Sequence, residues 1–346
     1  MNLALIVSLN FNPGHVSHLV AFYRQLNELG YESVFCVDKK FVEFLPKNSR
    51  ICIYGKDDIL NVTLAVITFP SQKNLFFIRR IKSQGAKVIY LFHEPLAPMK
   101  EYRRAGFSYG YLFRLWVINL INGLTVKWSS VVLLPSKKAM ELYKRNPLYD
   151  NLNYHYIPLL YDDERSNHLA RKERKYFSYI GTIAADHSFA EFIEFVMWAI
   201  ENNKFPNLSF LIATKSNFEV PSRLISSRRV LVLKGKPLND QEINDCYASS
   251  LIVWNAYART TQSGVLAKSF MFGSPVIVLK RNLSEFTEDG QDVVAIDDNH
   301  SFAQIEGAIS KILKNFTFFS SKARERFEND FFYKNYNSIM DKILSK

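Results

Sequence analysis

YARTTQSGVLAKSFMFGSPVIVL, residues 257–279, contains a loop, a short helix and a buried strand in immediate succession. The helix is predicted to end at Gly273, because glycine readily adopts the left-handed conformation that follows a helix C-terminus. The apolar run PVIVL (275–279) shows no polar alternation, which predicts a parallel strand covered on both faces. This order of loop, helix and strand is typical of a doubly wound α/β domain.

Strand-like runs alternate with helix-length segments along the whole chain. The runs lie at 3–10, 33–38, 50–55, 64–69, 87–92 and 131–135, and then at 176–181, 208–214, 229–235, 251–256 and 274–279. The charged stretch 162–175 separates the two series and has the composition of a linker, and 346 residues are enough for two domains. The sequence therefore predicts two Rossmann-like α/β domains facing across a cleft, with ligands beyond the carboxyl ends of the strands.

The net charge of +11 is concentrated in the first half of the chain. Residues 1–160 hold 20 basic and 10 acidic residues, and the segment 73–145 alone holds 14 basic and 3 acidic ones. Such a segment favours an anionic partner, either nucleic acid, a lipid headgroup layer or a phosphorylated substrate. A solvated basic face without a partner remains the alternative. We predict no nucleic-acid partner, because no recognised nucleic-acid module is present and the second half is nearly neutral.

The segment 105–124, AGFSYGYLFRLWVINLINGL, is long and apolar, but Arg114 and several small polar residues interrupt it. It is therefore predicted to be interfacial or part of the core, and not to span a membrane. In the interfacial interpretation, Trp116 enters the bilayer surface while Arg103, Arg104 and Arg114 meet lipid phosphates.

Other features predict an intracellular protein. The three cysteines show no spacing typical of a metal site, and they fit a reducing compartment. The N-terminal run MNLALIVSLNFNPG lacks a basic leader and is interpreted as a first strand. No DxD-like carboxylate cluster is present, and we predict no metal.

Three places in the sequence suggest chemistry. The start of the helix after Ser263 offers backbone amides to a diphosphate, and Arg259 can neutralise its charge. In NFNPGHVSHL (10–19), Gly14 allows a ligand to approach the backbone after the first strand. His93 follows another strand directly and is either a reacting group or the cap of a buried turn.

The C-terminal half resembles the nucleotide-sugar domain of GT-B glycosyltransferases of the group 1, or family 4, type. The resemblance rests on YFSYIGTI (176–183), LIATKSN (211–217), the segment 230–257, the SGVL helix, the GSPVI strand and EFTEDG (285–290). It implies an acceptor-binding domain at 1–160, a nucleotide-sugar domain at 176–325 and a C-terminal helix at 326–346 that crosses back onto the first domain.

The resemblance also implies residue roles. HEPLAP (93–98) is similar to a HEPxAP run in the family's phosphatidylinositol mannosyltransferases, and it makes His93 the residue expected to contact the donor sugar or to steady the acceptor. The donor-binding residues that it implies are Gly14, Thr182, Lys215, Gly235, Lys236, Tyr257, Arg259, Gln262, Ser263, Gly264, Val265 and Lys268.

Two departures from the family pattern are present. Thr260 and Lys268 occupy the positions of two glutamates of retaining members, which leaves the choice between retention and inversion open. Thr182 and His187 occupy the positions of a basic pair, so Arg259, Lys215 or Lys236 would hold the diphosphate.

The resemblance implies a hexosyltransferase with no cofactor besides its UDP- or GDP-linked sugar substrate. The expected acceptor is a lipid-linked oligosaccharide or lipopolysaccharide in bacterial surface polysaccharide synthesis. The expected location is cytoplasmic, peripheral on the inner face of the cytoplasmic membrane. The alternative is a catalytically silent GT-B-like protein that binds a nucleotide sugar or a partner.

Overall fold

The computed structural model describes residues 2–165 and 173–345, so residues 166–172 of the predicted linker lie outside the described residues. The chain forms two compact units. Unit 1 runs to Asp162 and resumes at Phe331, and unit 2 runs from Asp163 to Asp330. Unit 2 is therefore an insertion in the chain of unit 1. The predicted boundary at residue 326 lies inside the last helix of unit 2.

Unit 1 is a seven-stranded parallel sheet with helices packed on it. Its strands are β1 (Leu3–Ser8), β2 (Glu32–Val37), β3 (Ile51–Ile53), β4 (Val62–Ile67), β5 (Lys87–Leu91), β6 (Val131–Leu134) and β7 (Tyr154–Tyr156). Its helices are α1 (Val16–Glu28), α2 (Lys73–Lys82), α3 (Met99–Arg104), α4 (Tyr109–Trp128) and α5 (Lys137–Arg145), with 3₁₀ turns at Pro13–His15 and Lys39–Phe44.

Unit 2 is a six-stranded parallel sheet of the same kind. Its strands are β8 (Tyr176–Ile180), β9 (Ser209–Thr214), β10 (Val230–Lys234), β11 (Ser250–Trp254), β12 (Val276–Leu279) and β13 (Val293–Ile296). Its helices are α6 (Phe189–Glu201), α7 (Ser222–Ser226), α8 (Asp240–Ala248), α9 (Gly264–Met271), α10 (Phe302–Lys314) and α11 (Phe316–Asp330), with a 3₁₀ turn at Lys280–Asn282.

The predicted pair of doubly wound α/β domains is confirmed. The central strands β1, β4 and β5 are almost wholly buried, as apolar runs without alternation require when helices cover both faces of a sheet. The strand order is β3-β2-β1-β4-β5-β6-β7 in unit 1 and β10-β9-β8-β11-β12-β13 in unit 2. In each sheet the direction of strand addition therefore reverses, between β1 and β4 and between β8 and β11. Loops diverge at such a reversal, and they leave a crevice at the carboxyl edge of the sheet.

The prediction that a helix ends at Gly273 is confirmed. Helix α9 ends at Met271, and Gly273 adopts a φ of +65°. The N–H of Ser274 then donates to the carbonyl of Ser269 at 2.8 Å, which is the bond of a Schellman cap. This turn directs the chain into β12.

The C-terminus packs on unit 1. After a 3₁₀ turn at Tyr333–Tyr336, helix α12 (Asn337–Ser345) follows. Nε2 of Gln25 donates to Oδ1 of Asn337 at 3.2 Å, and Nζ of Lys87 donates to the carbonyl of Ile343 at 2.7 Å. These bonds hold α12 against the first helix and the fifth strand.

Candidate functional site

The loop after β8 and the loop that joins β11 to α9 meet at the strand-order reversal of unit 2. Gly181 follows β8, Tyr257 follows β11, and Val265 lies in the first turn of α9. A Cβ added to Gly181 would lie 3.5 Å from Oη of Tyr257 and 3.6 Å from Cγ2 of Val265. The loop after β8 therefore approaches the start of α9 through its backbone, and we call this place the corner of unit 2.

Ser263 begins helix α9. Its Oγ donates to Oδ1 of Asn255 at 3.1 Å and accepts from the N–H of Leu266 at 3.4 Å. Ser263 and the preceding Gln262 are both buried. Because a fixed cap orients the first turn, the N–H groups of Gly264 and Val265 are held along the helix axis, where the helix dipole favours negative charge.

Arg259 is buried beside a carboxylate. Its Nε lies 4.0 Å from Oδ2 of Asp186, and the N–H of Ala258 donates to the carbonyl of Asp186 at 2.7 Å. Asp186 thus holds the loop after β11 through its backbone, and its carboxylate lies near the Arg259 guanidinium without a hydrogen bond to Nε. The cation that the sequence assigns to the diphosphate lies in the loop after β11, with an acidic neighbour.

An imidazole and a phenol stack at the same place. The rings of His187 and Tyr257 lie 4.1 Å apart at an angle of 6°. Nδ1 of His187 must donate to the carbonyl of Thr182, at 2.6 Å, because a carbonyl only accepts. Burial, followed by the charge of Asp186, raises the pKa of Tyr257, so its hydroxyl keeps its proton. Thr182 and His187 are therefore joined to each other and do not form a basic pair.

Lys268 is engaged within unit 2. Its Nζ lies 2.5 Å from Oε2 of Glu164 and 2.8 Å from Oδ1 of Asn244, and the lysine is buried. Burial raises the pKa of the neighbouring Asp240 to about 6, while Lys268 lowers it and Glu164 raises it. The resemblance implies that Lys268 contacts the donor, but in this structure Lys268 already neutralises the carboxylate of Glu164.

The other predicted donor residues lie in the loops after β9 and β10. Lys215 is exposed, and Lys236 is exposed with its Nζ 3.7 Å from Oε1 of Glu242. Gly235 adopts a φ of +85°, and a Cβ added there would lie 2.7 Å from Oδ1 of Asn217. All of these residues lie at the carboxyl edge of the unit 2 sheet.

Unit 1 brings three histidines together at its own strand-order reversal. The ring of His93 lies 5.8 Å from that of His15 and 6.3 Å from that of His18, and His15 and His18 are 6.1 Å apart. Gly14 belongs to the same 3₁₀ turn as His15, and its N–H donates to Oδ1 of Asn12 at 3.2 Å. The chain segments after β1 and β5 thus bring these three rings close together.

His18 has a defined tautomer. Its Nδ1 donates to the carbonyl of Leu160 at 3.0 Å, so its Nε2 accepts from the hydroxyl of Tyr161 at 3.4 Å when the ring is neutral. The ring also packs against Tyr161, with centroids 4.5 Å apart. These contacts fix the orientation of the His18 ring within the histidine cluster.

Hydrogen bonds hold the loop that carries His93. The hydroxyl of Tyr149 accepts from the N–H of Leu96 at 3.3 Å, and that of Tyr102 accepts from the N–H of Ala97 at 3.4 Å. His93 as a residue is partly exposed. Burial lowers the pKa of His93 and the charge of Glu94 opposes this, so His93 is neutral at neutral pH.

Arg103, Arg104, Arg114 and Trp116 lie on the surface of unit 1, the first two at the end of α3 and the others on α4. Along residues 2–165 and 173–345, no helix is both long and apolar enough to cross a membrane. Among the same residues, no group of three His, Cys, Asp or Glu side chains is placed to hold a metal ion.

Several of these contacts have no signal in the sequence. Asp186 and Glu164 stand in loop segments with no motif around them, and they reach Arg259 and Lys268 only through the fold. His15 and His18 do share the segment that contains Gly14, and their proximity to a strand end was the one clue to the cluster with His93.

The comparisons with known proteins establish the fold. No family model and no curated protein sequence matches the chain. Solved structures match it over nearly its full length. HepE from Anabaena in complex with UDP-glucose is 14% identical, with a TM-score of 0.72 and 99% of both chains covered.

Two further structures give a similar result. Sucrose-phosphate synthase from Thermosynechococcus elongatus is 12% identical, with a TM-score of 0.66 over 100% of this chain and 98% of that one. WaaG, a glycosyltransferase involved in lipopolysaccharide biosynthesis, is 13% identical, with a TM-score of 0.67 and 99% of both chains covered. At these identities the likeness is one of fold, and the chain has the GT-B fold that its resemblance implied.

Proposed function

We propose that the protein is a glycosyltransferase that moves a sugar from a nucleotide diphosphate sugar to a hydroxyl group. The observation that carries this proposal is the corner of unit 2 where Gly181, Tyr257 and the first turn of α9 meet. Backbone amides at a helix N-terminus, with a buried arginine in the loop that precedes the helix, suit a diphosphate. The fold alone would not carry the proposal, because one scaffold hosts many reactions.

Each group in this corner has a role in the transfer. When the bond between the sugar and the diphosphate breaks, negative charge grows on the leaving phosphate. The amides of Gly264 and Val265 and the guanidinium of Arg259 stabilise that charge, and the Ser263 cap already orients the first turn that carries the two amides. Lys215 and Lys236 add positive charge at the same edge of the sheet.

We assign the donor to the UDP- or GDP-linked hexoses, with UDP favoured because the similar HepE structure is a complex with UDP-glucose. In unit 1, a neutral His93 can accept a hydrogen bond from a hydroxyl or donate one to a sugar oxygen. We propose that His93 contacts the reacting sugar or steadies the acceptor hydroxyl.

We further propose a membrane-associated acceptor, a lipid-linked oligosaccharide or a lipopolysaccharide, and a peripheral location on the inner face of the cytoplasmic membrane. The support is the basic, aromatic-rich segment 73–145 of unit 1. Anionic headgroups and lipid diphosphates attract such a segment. The similarity of fold to WaaG, a glycosyltransferase involved in lipopolysaccharide biosynthesis, is in keeping with this acceptor class.

Calorimetric titration with UDP, GDP, CDP and dTDP tests the donor site. We expect one diphosphate to bind selectively and Arg259→Lys to weaken its binding at least tenfold. The matched control is Arg281→Lys, because Arg281 also pairs with an aspartate of unit 2, Asp298, at 3.3 Å and lies outside the proposed site. Arg281→Lys should leave the affinity unchanged.

Turnover separates an enzyme from a silent binder. We expect the diphosphate that binds best to be released from its hexose conjugate when acceptor lipid is supplied. If one diphosphate binds selectively but is not released from its hexose conjugate with any acceptor, the protein only binds nucleotide sugars. If none of the four diphosphates bound, the proposed donor site would be wrong.

A further inference from the structure

Helix α4 exposes an apolar stripe to solvent. Its exposed large side chains include Tyr109, Phe113, Trp116, Leu120 and Leu124, which follow one another at intervals of three or four residues. This spacing places them along one side of an α-helix. Phe113 is 66% exposed and Trp116 48% exposed, and their rings stack with centroids 6.1 Å apart. We call these five side chains the α4 stripe.

The opposite side of α4 is unusually polar. Of its buried residues, only Leu112 and Val126 are apolar, and the others are Asn119, Asn122, Gly123 and Thr125. An ordinary surface helix buries its apolar side and exposes its polar side. Helix α4 departs from this arrangement, because its exposed side carries the α4 stripe while four of its six buried residues are polar or glycine.

Specific bonds fix the orientation that leaves the stripe exposed. Oδ1 of Asn122 accepts from the hydroxyl of Tyr90 at 3.2 Å, and Oδ1 of Asn119 accepts from Nδ2 of Asn146 at 3.1 Å. A Cβ added to Gly123 would lie 3.1 Å from the carbonyl oxygen of Leu148, so this side of the helix packs at backbone distance. Rotating α4 to bury the stripe would break all of these contacts.

The surroundings of the stripe are strongly basic. Helices α2, α3 and α4 together carry nine basic residues and one acidic residue, Glu101. Helix α2 is tied to the end of α4 by Lys82, whose Nζ donates to the carbonyl of Trp128 at 3.1 Å. The guanidinium of Arg103 lies 3.9 Å from the ring centre of Tyr109, at the start of the stripe. A second copy of the same face would meet it with like charge, whereas an anionic surface would be attracted.

We infer that the α4 stripe is a membrane-docking site that lies in the plane of an anionic bilayer, with its aromatic side chains among the headgroups and acyl chains and its arginines on lipid phosphates. The inference names the surface through which the proposed membrane acceptor is reached, and in that respect it rests on the proposed function. Aromatic side chains on a helix flanked by arginine and lysine are the composition of helices that lie at the membrane interface.

Vesicle flotation tests the inference. The probes are vesicles of phosphatidylcholine alone and vesicles with roughly one third phosphatidylglycerol, at about 50 mM and about 500 mM salt. We expect wild-type protein to bind the anionic vesicles, more strongly at low salt, and to bind the neutral ones weakly. The double variant Phe113→Asp/Trp116→Asp should lower the partition coefficient at least tenfold. Arg104→Gln and Arg114→Gln should each lower it about fivefold.

The matched control is Ile225→Asp/Phe318→Asp, which changes two exposed apolar side chains of unit 2 in the same way. It should bind vesicles as the wild type does. A second readout is quenching of tryptophan fluorescence by brominated lipid, which should decrease in Trp116→Phe. All variants should keep the circular dichroism spectrum and the nucleotide affinity of the wild type.

Three results would overturn the inference. The first is that the wild-type protein does not bind anionic vesicles. The second is that the wild type and Phe113→Asp/Trp116→Asp bind them equally. The third is that the wild type forms a dimer in the absence of vesicles and that Phe113→Asp/Trp116→Asp is monomeric. Failure of nucleotide binding with intact vesicle docking would instead count against the donor site alone.

Discussion

Nζ of Lys268 lies 2.5 Å from Oε2 of Glu164, and both side chains are mostly buried. By the resemblance, Lys268 occupies a position where retaining enzymes carry a glutamate. The position thus holds a cation, and Glu164, from another part of the chain, places a carboxylate directly beside it. The charge at position 268 is therefore opposite to that of a glutamate, and the carboxylate of Glu164 neutralises it.

Breaking this pair should destabilise unit 2. Lys268→Met leaves Glu164 as a buried charge without its cation, and such a loss costs about 3 kcal/mol in the free energy of unfolding. Urea denaturation followed by circular dichroism measures it. The double variant Lys268→Met/Glu164→Gln should recover most of the loss, because no uncompensated charge remains. If the double variant were as unstable as Lys268→Met, Glu164 would not be the reason for the loss.

His93→Ala should lower turnover at least tenfold, which is about 1.4 kcal/mol of barrier, and should leave nucleotide affinity nearly unchanged. The reason is that His93 lies in unit 1 and the proposed diphosphate corner lies in unit 2. Steady-state kinetics with the identified acceptor, together with calorimetry, separates the two effects. The control is His155→Ala, which removes an accessible histidine that bonds Asn153 at 3.2 Å. Unchanged turnover in His93→Ala would exclude it from the reaction.

The pH dependence of activity should follow the neutral form of His93. Burial places its pKa below the ordinary value of 6.5, so activity should hold as pH falls through 6.5 and decline only at lower pH. The free energy of unfolding should change with pH in the same direction as the activity. Below pH 6.5 the unfolded chain binds a proton that folded His93 does not, so the free energy of unfolding decreases as pH falls. Histidine proton shifts in NMR spectra, with His93→Gln for assignment, would give the pKa directly, and a value above 6.5 would contradict the prediction.

Tyr149→Phe should loosen the loop that carries His93. The Tyr149 hydroxyl donates to Oδ1 of Asn119 and accepts from the N–H of Leu96, so its removal leaves both groups without that bond. We expect a loss of about 1–2 kcal/mol in unfolding free energy. We also expect kcat to fall while nucleotide affinity stays the same. The comparison variant is Tyr154→Phe, on edge strand β7, and it should change neither kcat nor affinity. A Tyr149→Phe enzyme with wild-type kcat would show that this bond does not position His93.

Most elements follow from the sequence, because long apolar runs and glycine-terminated helices are strong local signals, whereas the order of the strands in each sheet comes from the structure. The strands that the pattern missed are β7 and β13, and each is one of the two edge strands of its sheet. They have three and four residues, and β7 is only half-buried, so neither forms the long apolar run that marks a central strand.

The site was only partly predictable, since its parts come together through tertiary contacts. The glycine turns and the start of α9 were found because they depend on local geometry. The pairing of Arg259 with Asp186 and of Lys268 with Glu164 joins residues 73 and 104 positions apart in the chain, and no local pattern encodes it. The segment 105–124 left core packing and an interface equally open, because only the structure shows which side of α4 faces out.

The insertion of unit 2 has a consequence for engineering. The N–H of Tyr161 donates to the carbonyl of Phe331 at 2.9 Å, and the N–H of Tyr333 donates to the carbonyl of Tyr161 at 3.0 Å. The points where the chain leaves unit 1 and returns to it are therefore neighbours, as they are at sites that tolerate domain insertion. Because its two ends are neighbours, unit 2 (163–330) can be replaced as a single segment. A short glycine linker from Asp162 to Phe331 would give a single-domain protein that keeps the histidine cluster and the α4 stripe, and a different nucleotide-binding module could be grafted at the same two points.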